Sequence, residues 1–186
     1  MDEAELRRQL EQHHAASYGW ALNCCRRDAA QAEDVLQTVY LKVLDGRARF
    51  DGQSVFKTWL FAVIRHTAAD ERRRHWLRQL KLAAFGQDGT RDEHEESAEK
   101  GAARAEMQAM FQEKLAALPS RQREVLHLVF YQDLSIEQAA GVMGVSVGSA
   151  RTHYARGKQR LRERLNRAEV FDETGIRRQP TQAALR

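Results

Sequence analysis

The side chains best suited to do chemistry lie between residues 135 and 165. Ser149, Arg151, Thr152, His153, Arg156, Lys158 and Arg160 fall along one side of a helical register. Val147, Ala150, Tyr154, Leu161 and Leu165 fall along the other. Guanidinium groups can bond guanine edges in pairs, and hydroxyls can meet phosphates or bases. Small residues let a helix N-terminus enter the major groove. This is recognition chemistry, and it makes no bonds. No glycine loop for phosphates, metal-ligand cluster or nucleophile–base set stands out. The sequence therefore predicts a non-enzyme with no cofactor, no metal and no small-molecule substrate.

The elements around these residues are legible from caps and periodicity. Ser135 with Gln138 forms a capping box that opens a short helix ending near Met143. Gly144 closes it, and Ser146 caps a longer second helix. Ala139, Val142, Val145 and Val147 are apolar at the joint, the pattern of a helix-turn-helix. Upstream, Pro119 is expected at the first position of a helix carrying Val125, Leu126, Leu128 and Val129. An amphipathic stretch through Met107, Met110, Phe111, Leu115 and Leu118 precedes it.

In the first half, Asp28 with Gln31 signals a helix start, and Val35, Leu36, Val39, Tyr40, Val43 and Leu44 recur at helical spacing before Gly46. After the polar loop RARFDGQ, Ser54 is expected to cap a helix striped by Phe56, Trp59, Leu60, Val63 and Ile64. Trp59 sits in this stripe with Leu60 and Val63, which favours core packing over a stacking role. The only prolines are Pro119 and Pro180, and no alternating strand pattern occurs, so the fold class is all-α.

The net charge of +4 over 186 residues conceals an uneven distribution. Residues 1–85 carry +3, residues 86–106 carry −4, residues 107–168 carry +5, and the tail 169–186 is neutral. The acidic segment holds Gly86, Gly89 and Gly101 and almost no large apolar side chain, so it reads as a flexible linker between two small helical domains. Its acidity could also screen a basic DNA-binding face. Arg outnumbers Lys 24 to 6, which suits phosphate recognition and equally follows from a GC-rich genome. Cys24 and Cys25 are adjacent, without C-x-x-C spacing, and read as core; a redox or metal sensor built from them with His13 and His14 has poor spacing. With no long apolar run and a start unlike a signal peptide, the chain is expected in the cytoplasm without membrane insertion.

LAALPSRQREVLHLVFYQDLSIEQAAGVMGVSVGSARTHYARGKQRLRERL resembles region 4 of the extracytoplasmic-function sigma factors. AEDVLQTVYLKVL and FDGQSVFKTWLFAVIRHTAADERRR are similar to their region 2, in the right order. The resemblance implies a bacterial factor that binds core RNA polymerase and directs it to promoters through −35 and −10 elements. It also implies help in melting the −10 region, and an anti-sigma factor as partner. By position it implies that Asp34, Val35, Gln37, Thr38 and Leu41 dock on the polymerase. Arg49, Phe50, Asp51, Gly52, Gln53, Ser54, Lys57, Arg65 and His66 would engage the single-stranded −10 element. Ser149, Arg151, Thr152, His153, Ala155, Arg156 and Arg160 would read the −35 duplex.

His66 stands where the family usually has Asn, Ala140-Gly141 replaces Ile-Ala, and Gly157 replaces Ala. Gly157 is expected to weaken its helix by roughly 0.5–1 kcal/mol. A competing reading is a stand-alone regulator that binds duplex DNA through residues 110–168.

Overall fold

A computed structural model describes residues 1–84 and 113–172 of the chain. The acidic linker 86–106 with its screening role, Met107, Met110, Phe111 and most of the tail lie outside the described residues. The described residues contain helices and no strand. Helices α1 (Glu3–Gln12), α2 (His14–Cys24), α3 (Ala29–Leu44) and α4 (Phe56–Ala84) form an N-terminal module. Helices α5 (Ser120–Phe130), α6 (Ile136–Met143) and α7 (Val147–Asp172) form a C-terminal one.

Local chemistry explains the boundaries. Asp28 caps α3 by accepting from the Gln31 N–H at 2.9 Å. The turn after α3 runs through Gly46 at φ +69°, a conformation that glycine adopts without steric cost. The capping box at Ser135 and Gln138 is complete, each side chain bonding the other's backbone N–H. Gly144 takes φ +62° and ends α6 in the left-handed conformation. Ser146 accepts from the Ser149 N–H at 3.1 Å and starts α7.

Two expected starts move by one residue. Trp59 N–H bonds the Val55 carbonyl, so the cap of α4 is Val55, and the Ser54 hydroxyl donates to the Val55 carbonyl instead. Pro119 takes the N-cap position of α5, where its carbonyl accepts from Gln122 and Arg123 and its missing N–H costs nothing.

Cys24 and Cys25 are core residues, each 5% exposed. Burial pushes the Cys25 thiol up to about 11, and the Cys24 thiol higher still. The main apolar cluster does not stop at the module boundary. Trp20, Val35, Leu60, Phe61 and Ile64 of the N-terminal module share it with Val125, Leu128, Leu134, Ala139, Val142 and Met143 of the C-terminal one. A smaller cluster of Leu115, Leu118, Leu126 and Leu161 lies within the C-terminal module.

Gly157 sits in that second cluster's crossing of α5 and α7. A Cβ there would stand 3.1 Å from Leu126 Cδ1 and 3.3 Å from Gln122 Cβ. The glycine lets the two helices approach, a gain that opposes the expected loss of helix propensity.

Candidate nucleic-acid interface

The helix-turn-helix places α7 with its apolar side down and its polar side out. Ala150 is fully buried, and Tyr154 packs on both clusters. Ser149, Arg151, Thr152, Ala155, Arg156 and Arg160 are exposed, and His153 is half-buried. The predicted residues are therefore open to solvent along α7, in whole or in part. Near the start of α7, Ser146, Gly148, Ser149, Thr152 and His153 line a shallow recess of about 400 Å³. The Thr152 hydroxyl donates to the Gly148 carbonyl at 3.0 Å. Arg151 is held by Glu137 of α6 at 3.0 Å, with both side chains more than half exposed. Hydrogen bonds from the Glu137 backbone N–H and the Ser135 hydroxyl, and then Arg151, hold the Glu137 carboxyl below its usual range. Arg160 bonds Gln122 Oε1 of α5 at 3.2 Å, so this guanidinium is partly engaged by its own module.

The loop between α3 and α4 forms a second polar surface. Arg49, Asp51, Gly52, Gln53 and Ser54 are exposed. Asp51 accepts from the Gln53 N–H at 3.1 Å, and Gly52 turns the chain at φ +77°. Arg49 Nε donates to the Gly46 carbonyl at 3.1 Å. Beneath the loop, the half-buried Phe50 meets Phe56 and Trp59 with ring centroids 5.4 Å away in each case. Trp59 is partly buried and packs against the main apolar cluster, the core placement that its stripe favoured.

Helix α3 supplies a third surface. Asp34, Gln37 and Leu41 are exposed, Leu41 by 50%, and Thr38 is partly exposed. Gln37 and Leu41 border a largely apolar groove of about 680 Å³ between α2 and α3, walled by Tyr18, Leu36, Tyr40 and Leu44. Val35, expected in the docking patch, faces the opposite way and is 1% exposed. Its side chain belongs to the core, because it shares the inner helical face with Val39 and Val43.

The remaining −10 candidates are not equally open. His66 is exposed, whereas Lys57 and Arg65 reach across to the C-terminal module. Lys57 Nζ donates to the Gln132 carbonyl at 2.7 Å, and Arg65 Nε donates to Glu124 Oε2 at 3.0 Å. The Arg65 and Glu124 side chains are only 15% and 11% exposed. Arg121 joins them, 3.5 Å from the same carboxylate oxygen, and bonds the Met143 carbonyl. Nearby, His127 of α5 lies 5.4 Å from the Trp20 ring and is stacked with Tyr131. Burial, then Arg27 and Arg123, lowers its pKa to about 4. Glu124, His127 and Gln132 escaped sequence reasoning. Arg65 lies 59 residues from Glu124 and Lys57 lies 75 from Gln132, and no local pattern signals these pairs.

Comparison with known proteins gives the family. The pattern described as Sigma-70 region 2 matches residues 10–78, and that of Sigma-70, region 4 matches residues 108–161. The chain is 33% identical over 152 residues to the ECF RNA polymerase sigma factor SigX of Bacillus subtilis, covering 79% of this chain and 78% of that one. It is 31% identical over 156 residues to the ECF RNA polymerase sigma factor SigC of Mycobacterium tuberculosis, covering 84% and 80%. The chain belongs to the extracytoplasmic-function sigma factors of the sigma-70 family.

The fold agrees. The sigma factor RpoE of Bartonella quintana, solved with the anti-sigma factor NepR, matches with a TM-score of 0.69 at 23% identity, covering 87% of this chain and 97% of that one. CnrH, solved with the cytosolic domain of CnrY, matches with a TM-score of 0.62 at 22% identity, covering 89% and 90%. As a sigma factor, the chain works by binding core RNA polymerase and bringing it to promoters, which sets aside the stand-alone regulator. Among the described residues, no helix is long and apolar enough to cross a membrane.

Proposed function

We propose a division of labour among the three surfaces. Asp34, Gln37, Thr38 and Leu41 on α3 dock on core polymerase. The loop 49–54, with Lys57, Arg65 and His66 of α4, takes the single-stranded −10 element. Ser149, Arg151, Thr152, His153, Ala155, Arg156 and Arg160 meet the −35 duplex. The observation that carries the first assignment is Leu41, a large apolar side chain half exposed beside an open groove and flanked by Asp34 and Gln37. An exposed apolar patch of this kind fits a helical partner.

Melting would draw on binding energy for unstacked bases, with no covalent step and no enzymatic activity. A short loop held on rigid helices suits capture of such bases. The unit boundaries we propose are 1–85, 86–106, 107–168 and 169–186, in a cytoplasmic protein. An anti-sigma factor is a further proposed partner, in line with the complexes in which RpoE and CnrH were solved.

Reconstituted transcription tests the reading. Core polymerase with this chain should start at discrete positions on genomic DNA, and Leu41→Asp should abolish those starts. Starts that survive Leu41→Asp would remove α3 from the polymerase interface.

A further inference from the structure

We propose that the cavity between the two modules is a binding site for a small polyphosphate-bearing ligand of nucleotide size, held by Arg26, Arg27 and Arg123. None of the lining residues belongs to the three surfaces assigned above, so the site stands apart from those assignments.

The cavity measures about 820 Å³ and is lined by α2 and the α2–α3 turn of one module and by α5 and the segment before it of the other. That volume suits a small-molecule site. Its charge is one-sided. Arg26 and Arg27 come from the turn and Arg123 from α5, and among the described residues no carboxylate lines the cavity. Glu124, next to Arg123 in the chain, is already engaged by Arg65 and Arg121. Arg123 Nη1 donates to the Ala116 carbonyl at 3.1 Å. Its Nε and the Nδ2 of Asn23, both buried, meet no acceptor among the described residues. A buried donor without an acceptor costs free energy that a ligand oxygen would recover. Burial first, and then Arg26 and Arg72 against an offset from Glu124, lowers the Arg123 pKa, so this cation is short of counter-charge.

The turn adds a second observation. Arg26 and Arg27 take φ of +55° and +70° in succession, a left-handed conformation in which a side chain is strained and glycine is not. Guanidinium forks match phosphate oxygens in pairs, and three of them favour a ligand with several negative charges. Leu22, Leu115 and Leu118, with the ring of Tyr131, supply apolar wall for a flat body such as a base. A nucleoside triphosphate combines both parts.

Calorimetric titration of the full chain with ATP, GTP and inorganic pyrophosphate tests this. At least one of the nucleotides should bind saturably and one-to-one, and should raise the melting temperature. Pyrophosphate, which lacks the flat body, should bind more weakly. Arg26→Gly removes one guanidinium at a position whose backbone suits glycine, so the variant should keep its cooperative melting. Its nucleotide affinity should fall at least about tenfold, the loss of a charge-assisted hydrogen bond. Arg78→Ala, at an exposed arginine of α4 that does not line the cavity, should leave that affinity unchanged. Absence of saturable nucleotide binding, or full affinity in Arg26→Gly, overturns the site. An equal loss in Arg78→Ala also overturns it, since the chain would then be attracting polyanions by overall charge. Pyrophosphate binding as tightly as the nucleotides overturns the assignment of the apolar wall.

Discussion

The two helices that we propose meet DNA are built alike and displayed differently. Both α4 and α7 bury an apolar stripe and carry cationic side chains on another face. On α7 the candidate cations Arg151 and Arg156 face solvent, and Arg151 has only an exposed ion pair with Glu137. On α4 the candidate cations Lys57 and Arg65 are held by acceptors from the other half of the chain. An exposed pair yields readily to a phosphate, because water already screens it. A buried pair does not, because separating it strands a charge. The difference teaches that a basic helix is a binding surface only when its counter-charges are weaker than the ligand.

The comparison can be broken most strongly at Glu124. Glu124→Gln leaves the buried Arg65 guanidinium without its carboxylate, and should weaken docking of the modules by about 3 kcal/mol. Limited proteolysis of the free chain should then cut between the modules faster, while duplex binding holds.

On the open helix, Arg156→Ala should lower affinity for the upstream duplex by about 1–3 kcal/mol if the guanidinium reads a base. Oligonucleotide binding at −10 should not change. A loss spread evenly over all sequences would make Arg156 a phosphate contact.

Acid should loosen the docking of the two modules. His127 is neutral in its place between Trp20 and Tyr131, with Arg27 and Arg123 facing it, and its pKa is lowered from 6.5 to about 4. A lowered folded-state pKa means stability that is intact above pH 6.5 and lost as pH falls toward 4. Thermal unfolding followed from pH 7 to 4.5 should show that loss, and His127→Gln should flatten it.

The smallest effect belongs to Gly157→Ala. Helix propensity favours alanine by up to about 1 kcal/mol, but the 3.1 Å approach to Leu126 requires that side chain to shift. A net destabilisation of about 1 kcal/mol is expected, confined to the C-terminal module and read by its melting temperature.

Much of the fold was legible because its signals are local. The cap at Asp28, the box at Ser135 and Gln138, and the turns at Gly46 and Gly144 each depend on residues within a few positions. The polar side of α7 followed from periodicity for the same reason. Val35 shows the limit: its place in a family motif suggested a surface, and the helical phase it shares with Val39 and Val43 puts it inside. Gly157 shows another, since propensity spoke only of its own helix and the approach of α5 decided its use. The pairs Arg65–Glu124 and Lys57–Gln132 depend on how two separately patterned halves dock, and neither half's periodicity carries that information.

The distance between modules tests the central claim most directly. Spin labels on Ala29→Cys and Ala117→Cys, both exposed positions outside the proposed surfaces, would report it by pulsed electron resonance. The account predicts one narrow distance in the free chain and a longer one once core polymerase and promoter DNA are bound. A broad distribution in the free chain, or the same narrow distance in both states, would contradict it.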